Sequence, residues 1–493
     1  MSKKLLPPDT PEQALITNFK GQKLVVRAYA GTGKTTTLEK FALSNPNTRM
    51  LYLAFQRSVA EEGKARFPKN VVCRTSHQIA YAAVGKNYRH KQKGAIPLEE
   101  VARVIGERNW KVIKDIISTL NAYMTSSDKY ILTGHTPNEE APRVLSAPEL
   151  KYKGHLVEIA ELLWQKMIDP EDPFTMTHDG YLKLYQLSEP DLALRYGCIL
   201  FDEAQDANPV TTALVIRQRC QLIFVGDPHQ QIYRFRGANN ALEIPDMSDA
   251  THLKLTNSFR FGQEVALVAN AILSLKEEST PLIGRGMQDA IYVTMPEQVG
   301  HIAILHRTVM GTIQSAMEAA AKGQKVYWLG GHKSYQVENV LDVYWLNQGK
   351  CENVKNKRLL AMCNGQFSNY VQMAKDTGDH EMRRALQLIK DPRLLKHLQA
   401  LSDLTVEDEK DADITVSTVH KAKGLEWENV ILSNDFPDLF ALQDKSDVWC
   451  DEVNLLYVAV TRAMKRLAVN EIVEMVLRKT LLDQQHTVST TPA

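Results

Sequence analysis

Residues 24–36 read LVVRAYAGTGKTT. A short apolar, β-branched run leads into a glycine-spaced turn, and the turn opens a helical pattern at Lys34-Thr35-Thr36. Strand, loop and helix in this order make a phosphate-binding loop. Its glycines let backbone N–H groups wrap the phosphates, its lysine reaches the β and γ oxygens, and the next hydroxyl binds Mg²⁺. Ala30, Gly31, Thr32, Gly33, Lys34, Thr35 and Thr36 are therefore expected to hold ATP, with Thr35 on the metal. Ala28 stands where the consensus has its first glycine, at the less crowded start of the loop. The plain alternative is a glycine-rich turn with an exposed lysine; the strand before it and the helix after it argue for the phosphate loop.

A partner for this loop lies at 198–206, CILFDEAQD. Here an apolar strand delivers two carboxylates at its C-terminal end, where parallel sheets bind ligands. Asp202 is expected to hold Mg²⁺ through water, and Glu203 to orient and deprotonate the attacking water. An acidic pair after a hydrophobic run is common on surface turns, so its weight comes from the phosphate loop in the same chain.

Further out, short apolar runs recur at 24–28, 50–55, 71–75, 198–202 and 222–226, and again at 302–306, 326–329, 414–418 and 430–433. Each is followed by a turn or a helix-like stretch, which predicts two α/β units with parallel sheets. Strand-poor helical stretches interrupt both sets. The expected division is 1–85 with 190–250 for the first ATPase unit, and 251–342 with 411–483 for the second. Inserted helical subdomains are expected at 86–189 and 343–410, and a disordered polar tail at 484–493.

The bulk numbers agree with a multidomain globular protein: 493 residues, 44% hydrophobic, 24% charged, formal net charge +1. Nucleic-acid binding must then come from a local groove and not from overall charge. The six cysteines show no CxxC and no matching histidine spacing, which argues against zinc, an iron–sulfur cluster or a disulfide framework and suits a reducing compartment. No apolar leader and no run of about 18 apolar residues occurs, so neither secretion nor membrane spanning is expected.

Several further stretches match, in order, the motifs of superfamily 1 helicases. DEAQD at 202–206 and VGDPHQQIYRFRGA at 225–238 resemble motifs II and III. AFQRSVAEE at 54–62 and TSH at 75–77 resemble motifs Ia and Ib, and LTNSFR at 255–260 resembles motif IV. TVHKAKGLE at 418–426 and LYVAVTRA at 456–463 resemble motifs V and VI. The chain thus resembles the UvrD/Rep/PcrA group, and THDGYLK at 177–183 with EVNLLY at 452–457 looks most like the helicase core of the F-box DNA helicase branch.

That resemblance implies two RecA-like domains and an ATP-dependent 3′→5′ DNA helicase or translocase, used in DNA repair among other pathways. It places Gln13 on the adenine edge, Phe259 on the adenine ring, and Glu426 at the ribose or nearby phosphates. Gln230 would sense the γ-phosphate, and Arg260 and Arg462 would act as arginine fingers, a role suited to bidentate guanidinium chemistry. For single-stranded DNA, Tyr233 and Phe235 are the expected base-stacking platforms and Arg236 a phosphate or structural contact; the family usually has Trp at the place of Phe235. Thr75, His77, Thr418 and His420 match positions that touch the phosphodiester backbone, with a buried structural role as the alternative for each histidine. A basic run at 86–93, KNYRHKQK, is either a second nucleic-acid patch or a solvated loop.

The implied partners are single-stranded DNA, single/double-strand junctions and accessory proteins, and the implied place is the cytoplasm (at the nucleoid) if the chain is bacterial or phage-encoded. The second insertion is far smaller than in UvrD and Rep, which favours translocation over strong autonomous unwinding. No F-box-like segment precedes Gln13 and no nuclease-like carboxylate cluster is appended, so neither added role is expected. An RNA-directed motor and an ATP-switched scaffold with little unwinding remain as rival readings.

Overall fold

The computed structural model describes residues 7–137, 146–234, 237–377, 380–442 and 446–489. The chain divides into two compact units, Met1–Tyr29 with Gly33–Leu255, and Ala30–Thr32 with Thr256–Ala493.

The first unit is built on six parallel strands: β1 (Lys23–Ala28), β2 (Met50–Ala54), β3 (Val71–Thr75), β4 (Cys198–Phe201), β5 (Gln221–Gly226) and β6 (Thr251–Leu255). Their order is β3-β2-β4-β5-β1-β6. Alternate side chains enter opposite cores, as a pleated strand requires. Leu24 and Val26 of β1 pack with Leu38 and Phe41 on one face, while Val25 packs with Leu51, Ile199 and Phe224 on the other. A sheet covered on both faces explains why β2 and β4 are buried at every position.

The expected boundary at 250 is corrected by β6, which pairs with β1 through Leu24↔Thr251 to Ala28↔Leu255. Three of the five residues of this edge strand are exposed and only Leu255 is buried, so it offers no apolar run to read.

Between β3 and β4 stand the helices Leu98–Ile105, Trp110–Thr125, Ala147–Ile168 and His178–Leu187. They share a core in which Ile113, Ile116 and Leu120, at helical spacing, meet Leu156, Leu163 and Trp164. Asn109 caps the second of them, accepting from the Lys111 and Val112 N–H groups.

The basic run at 86–93 is largely consumed by this layer. Lys91 donates to the carbonyls of Lys166, Asp169 and Asp172, Tyr88 to that of Ile168, and Lys93 pairs with Glu100 at 3.1 Å.

The second unit begins with a two-stranded pair, β7 (Asn257–Ser258) and β8 (Ile283–Gly284). It continues with a seven-stranded parallel sheet in the order β12-β11-β13-β10-β14-β15-β9. The strands are β9 (Ala290–Tyr292), β10 (Ile302–His306), β11 (Val326–Trp328), β12 (Thr405–Val406), β13 (Ile414–Thr418), β14 (Trp427–Leu432) and β15 (Ala463–Ala468).

Helices from Val337 to Leu404 intervene between β11 and β12, and Val340, Val343, Leu394, Leu398 and Leu401 enter one core with Val326 and Val416. The last helix runs Glu471–Ser489, so the tail expected to be disordered from 484 is helical up to Ser489. Its earlier turns bury Ile472, Val473 and Val476, which anchors the helix that the polar residues then continue.

Candidate nucleotide and nucleic-acid sites

All the motifs of the first unit lie just beyond the C-terminal ends of its strands. The loop after β1 runs into the helix Lys34–Ser44, whose N-cap is Gly33 in the left-handed conformation at φ 78°. Gly33 has no side chain to cap that helix, and the helix dipole favours an anion at the N–H groups of its first turn.

β5 lies between β1 and β4, so Asp227 emerges between the phosphate loop and the carboxylate pair. Lys34 Nζ sits 3.0 Å from Glu203 Oε1. Burial works against the Lys34 ammonium, but Glu203, Asp227 and Asp202 outweigh it and hold its pKa above the ordinary lysine value.

Asp202 is 2% exposed. Its carboxylate accepts from the Tyr52 hydroxyl at 2.6 Å and from the Glu203 N–H at 2.9 Å. Burial and the neighbouring Glu203 charge push its pKa up, against the opposing pull of Lys34 and the two hydrogen bonds. A buried carboxylate whose ionised form is disfavoured would suit a cation such as Mg²⁺, and the Thr35 hydroxyl, in the first turn of the helix Lys34–Ser44, is the other oxygen donor the sequence offers there.

Glu203 itself is in the left-handed region at φ 52°, which costs a non-glycine residue free energy and marks a constrained turn. Gln205, fully buried, donates to Glu203 Oε2 at 2.5 Å and accepts from the Asp227 N–H at 3.1 Å. It therefore ties the end of β4 to the end of β5. Gly226 is required for this: an added Cβ would lie 2.2 Å from Gln205 Oε1. Gln230 donates to Asp227 Oδ2 at 2.7 Å.

Gln13 sits in a helix capping box with Thr10, and its amide nitrogen lies 3.2 Å from where a Cβ on Gly33 would be. The Thr36 hydroxyl accepts from Arg66 at 3.0 Å, so Thr36 is left to offer its backbone N–H.

By its contacts the segment Ala30–Thr32 groups with the second unit. The Phe259 N–H donates to the Gly31 carbonyl at 2.9 Å, and the Ala30 N–H to the Tyr457 hydroxyl at 3.2 Å. A Cβ at Gly31 would come within 2.4 Å of Ser258 Oγ, so only glycine fits.

Phe259 remains 49% exposed, its ring available for stacking. Arg260 donates from Nε to Glu426 at 2.6 Å and from a terminal nitrogen to the Thr461 carbonyl at 3.0 Å. Arg462 is 1% exposed, and its guanidinium is fixed by the carbonyls of Val458 and Leu425 and by the Thr461 hydroxyl.

Of the residues expected on DNA, Tyr233 is described and is nearly buried, its ring stacked on Phe55 with centroids 5.8 Å apart. Phe235 and Arg236 lie outside the described residues. Thr75 accepts from the Gln78 N–H as a helix N-cap, and His77 meets Asp179 at 3.1 Å. Thr418 is the N-cap residue of the short helix Val419–Ala422, and His420 lies in that helix, partly exposed.

Among the described residues no cluster of His, Cys, Asp and Glu is placed to hold a metal, and no helix is long and apolar enough to cross a membrane. All six cysteines are free.

The family model for the UvrD-like helicase C-terminal domain matches residues 109–474. The chain belongs to the UvrD-like helicase family. It is 35% identical to F-box DNA helicase 1 of Gallus gallus, over 95% of this chain and 49% of that protein. It is 32% identical to F-box DNA helicase protein 1 of Schizosaccharomyces pombe, over 94% and 57%. With the ATP-dependent DNA helicase PcrA of Leuconostoc citreum it shares 24% identity over 90% and 79%. The chain spans about half the length of the two F-box DNA helicases.

Three residues of this UvrD-like site escape a reading of the sequence. Tyr52, which holds Asp202, sits inside the uniformly apolar run of β2 and reads as core. Gln205, which positions Glu203, is visible only as part of DEAQD. Phe55, visible in the sequence only as part of the motif Ia stretch, follows β2 directly and is 39% exposed, and an aromatic side chain just past a strand's C-terminal end is the signal that could have singled it out.

Proposed function

We propose that this chain is an ATP-dependent motor that moves 3′→5′ along single-stranded DNA and opens duplexes at single/double-strand junctions. The observation that carries the proposal is the pairing of Lys34 with Glu203 beside Asp202 and Asp227, at the strand ends of the first sheet. A loop lysine held among three carboxylates is arranged for hydrolysis and not only for nucleotide binding.

In this reading Lys34 and the backbone of residues 30–36 hold the ATP phosphates, Gln13 reads the adenine edge, Phe259 stacks on its ring and Glu426 lies near the ribose. Thr35 and Asp202 would hold Mg²⁺, which neutralises charge on the β and γ oxygens when bound. Glu203, its orientation fixed by Gln205, accepts the proton of the attacking water. Gln230 responds to loss of the γ-phosphate. The Arg260 and Arg462 guanidiniums stabilise the charge that develops on it.

The DNA track comprises Phe55, Tyr233, Phe235 and Arg236, with Thr75, His77, Thr418 and His420 along the backbone. Gln230 and Tyr233 are three residues apart in one segment after β5, so a change at the γ-phosphate alters the base-stacking platform. Alternating grip advances the chain by about one nucleotide per ATP, as the family resemblance implies.

The test is ATP-dependent strand displacement on two duplexes that differ only in carrying a 3′ or a 5′ single-stranded tail. Separation from the 3′ tail alone is expected. Separation from the 5′ tail alone overturns the polarity. Strand-stimulated ATP hydrolysis without separation from either would reduce the function to translocation.

A further inference from the structure

A groove of about 1400 Å³ runs along the outer strands of the first unit and lies wholly within it. At one end it is lined by Arg57, Thr75 and His77, which stand at or just past the C-terminal ends of β2 and β3. At the other it is lined by Arg49, Arg195 and Tyr196, which precede the N-terminal ends of β2 and β4. Val72 and Arg74, two apart on edge strand β3 and therefore on one face, join the ends. Five-residue strands make the groove about 17 Å long.

Its charge is unbalanced. Four arginines line it against one aspartate, Asp191; of the carboxylates nearby, Asp179 is engaged by His77, and Glu61 lies within electrostatic reach of Arg57 and Arg74. Arg57, Arg74 and Arg195 are exposed, and among the described residues none of the three makes a side-chain hydrogen bond or an ion pair. Guanidiniums with no hydrogen-bonded counter-charge around a concavity focus positive potential there.

Aromatic surface accompanies the charge. The Arg49 guanidinium lies over the Tyr196 ring at 5.6 Å, and Tyr81 lines the wall with its ring partly exposed. Phosphate-binding cations interleaved with stacking planes suit a strand whose bases are free, and not a duplex whose bases are turned inward.

We propose that this groove is a second segment of the single-strand path. A strand passing over Thr75 and His77 continues down the outer face of the first unit, its phosphates on Arg74, Arg57 and Arg195 and its bases against Tyr81 and Tyr196. This rests on the single-strand reading above and extends it. The footprint is longer than the motif residues alone provide, and the added part is held by residues outside every helicase motif except Arg57.

The test compares the unaltered protein with the double variant Arg74→Glu, Arg195→Glu, binding labelled oligothymidines of about 8 and about 20 nucleotides, lengths that bracket a short site and an extended one. Both positions are exposed, and a thermal melt checks that the fold is kept. The expected result is at least a tenfold weaker grip on the long oligomer, with the short one bound as before. The slope of log K against log salt should become shallower by about 0.7 for each phosphate that the variant no longer neutralises.

Equal affinity of both proteins for the long oligomer overturns the proposal, as does an equal loss at both lengths. Weakening seen only on a fork with two tails overturns it too, because the groove would then take the displaced strand. ATPase stimulation of the unaltered protein by the short oligomer reports separately on the parent reading.

Discussion

Lys34 and Glu203 face each other at 3.0 Å across the ends of β1 and β4, although 168 intervening residues separate them in the chain. The pair joins the group proposed to grip phosphate to the group proposed as base. Lys34→Ala should abolish both nucleotide binding and turnover. Glu203→Gln should keep nucleotide binding and lower DNA-stimulated turnover by a factor of about 10² to 10⁴, the usual contribution of general-base catalysis. Steady-state ATPase assays with a fluorescent nucleotide titration decide this, and full stimulated turnover in Glu203→Gln would remove it from the base role.

Asp202 gives a pH prediction. Its folded-state pKa lies above that of an unfolded aspartate, because burial and Glu203 disfavour the anion. The folded state then binds more protons than the unfolded one, so this group's contribution to stability falls as pH rises from the ordinary carboxylate range and stays low at neutral pH. Asp202→Asn should therefore raise the melting temperature of the nucleotide-free protein at neutral pH. The gain should shrink near pH 4, about where an unperturbed carboxylate is half protonated. Melting curves across that range check it; a gain that grows on acidification contradicts the assignment.

Phe55 and Tyr233 form a stacked pair with one ring exposed and the other nearly buried. Removing Phe55 should weaken single-strand binding by about 1–3 kcal/mol, the usual value of one aromatic–base stack. ATP hydrolysis without DNA should be unchanged. Anisotropy titrations on Phe55→Ala, Tyr233→Ala and the double variant measure the coupling, and strict additivity would mean the two rings do not act as one platform.

Arg260 makes two hydrogen bonds from one planar fork, to Glu426 and to the Thr461 carbonyl. Lysine has the charge but not the fork. Arg260→Lys should cut kcat roughly a thousandfold, the lower end of what an arginine finger supplies. A change in KM alone, with kcat intact, would make Arg260 a binding residue only.

Whatever depends on local backbone chemistry is legible in the sequence. Gly31 and Gly33 both occupy the left-handed region, and the carboxylate pair follows a strand of apolar residues. Both facts are written in consecutive residues. Long-range packing is not legible in that way. Thr75 and Thr418 match backbone-contact motifs, yet both hold helix N-cap positions, which the local sequence equally permits. The strand β6 escapes a reading of the sequence because an edge strand needs no apolar run. The basic run at 86–93 reads as a surface patch until Lys91 is seen to close three carbonyls.

The position of β1 has a bearing on how the chain is made. Both of its neighbours, β5 and β6, come from residues 221–255, while the helices that share the Ile113–Trp164 core are complete by Ile216, the last of them adding Val210 and Leu214. During synthesis the helical layer can consolidate while the strand carrying the phosphate loop still lacks both partners, since local contacts form before distant ones close. The first unit's share of the proposed nucleotide site is then complete only with its last strand, and an ATP analogue that captures nascent chains would date that event.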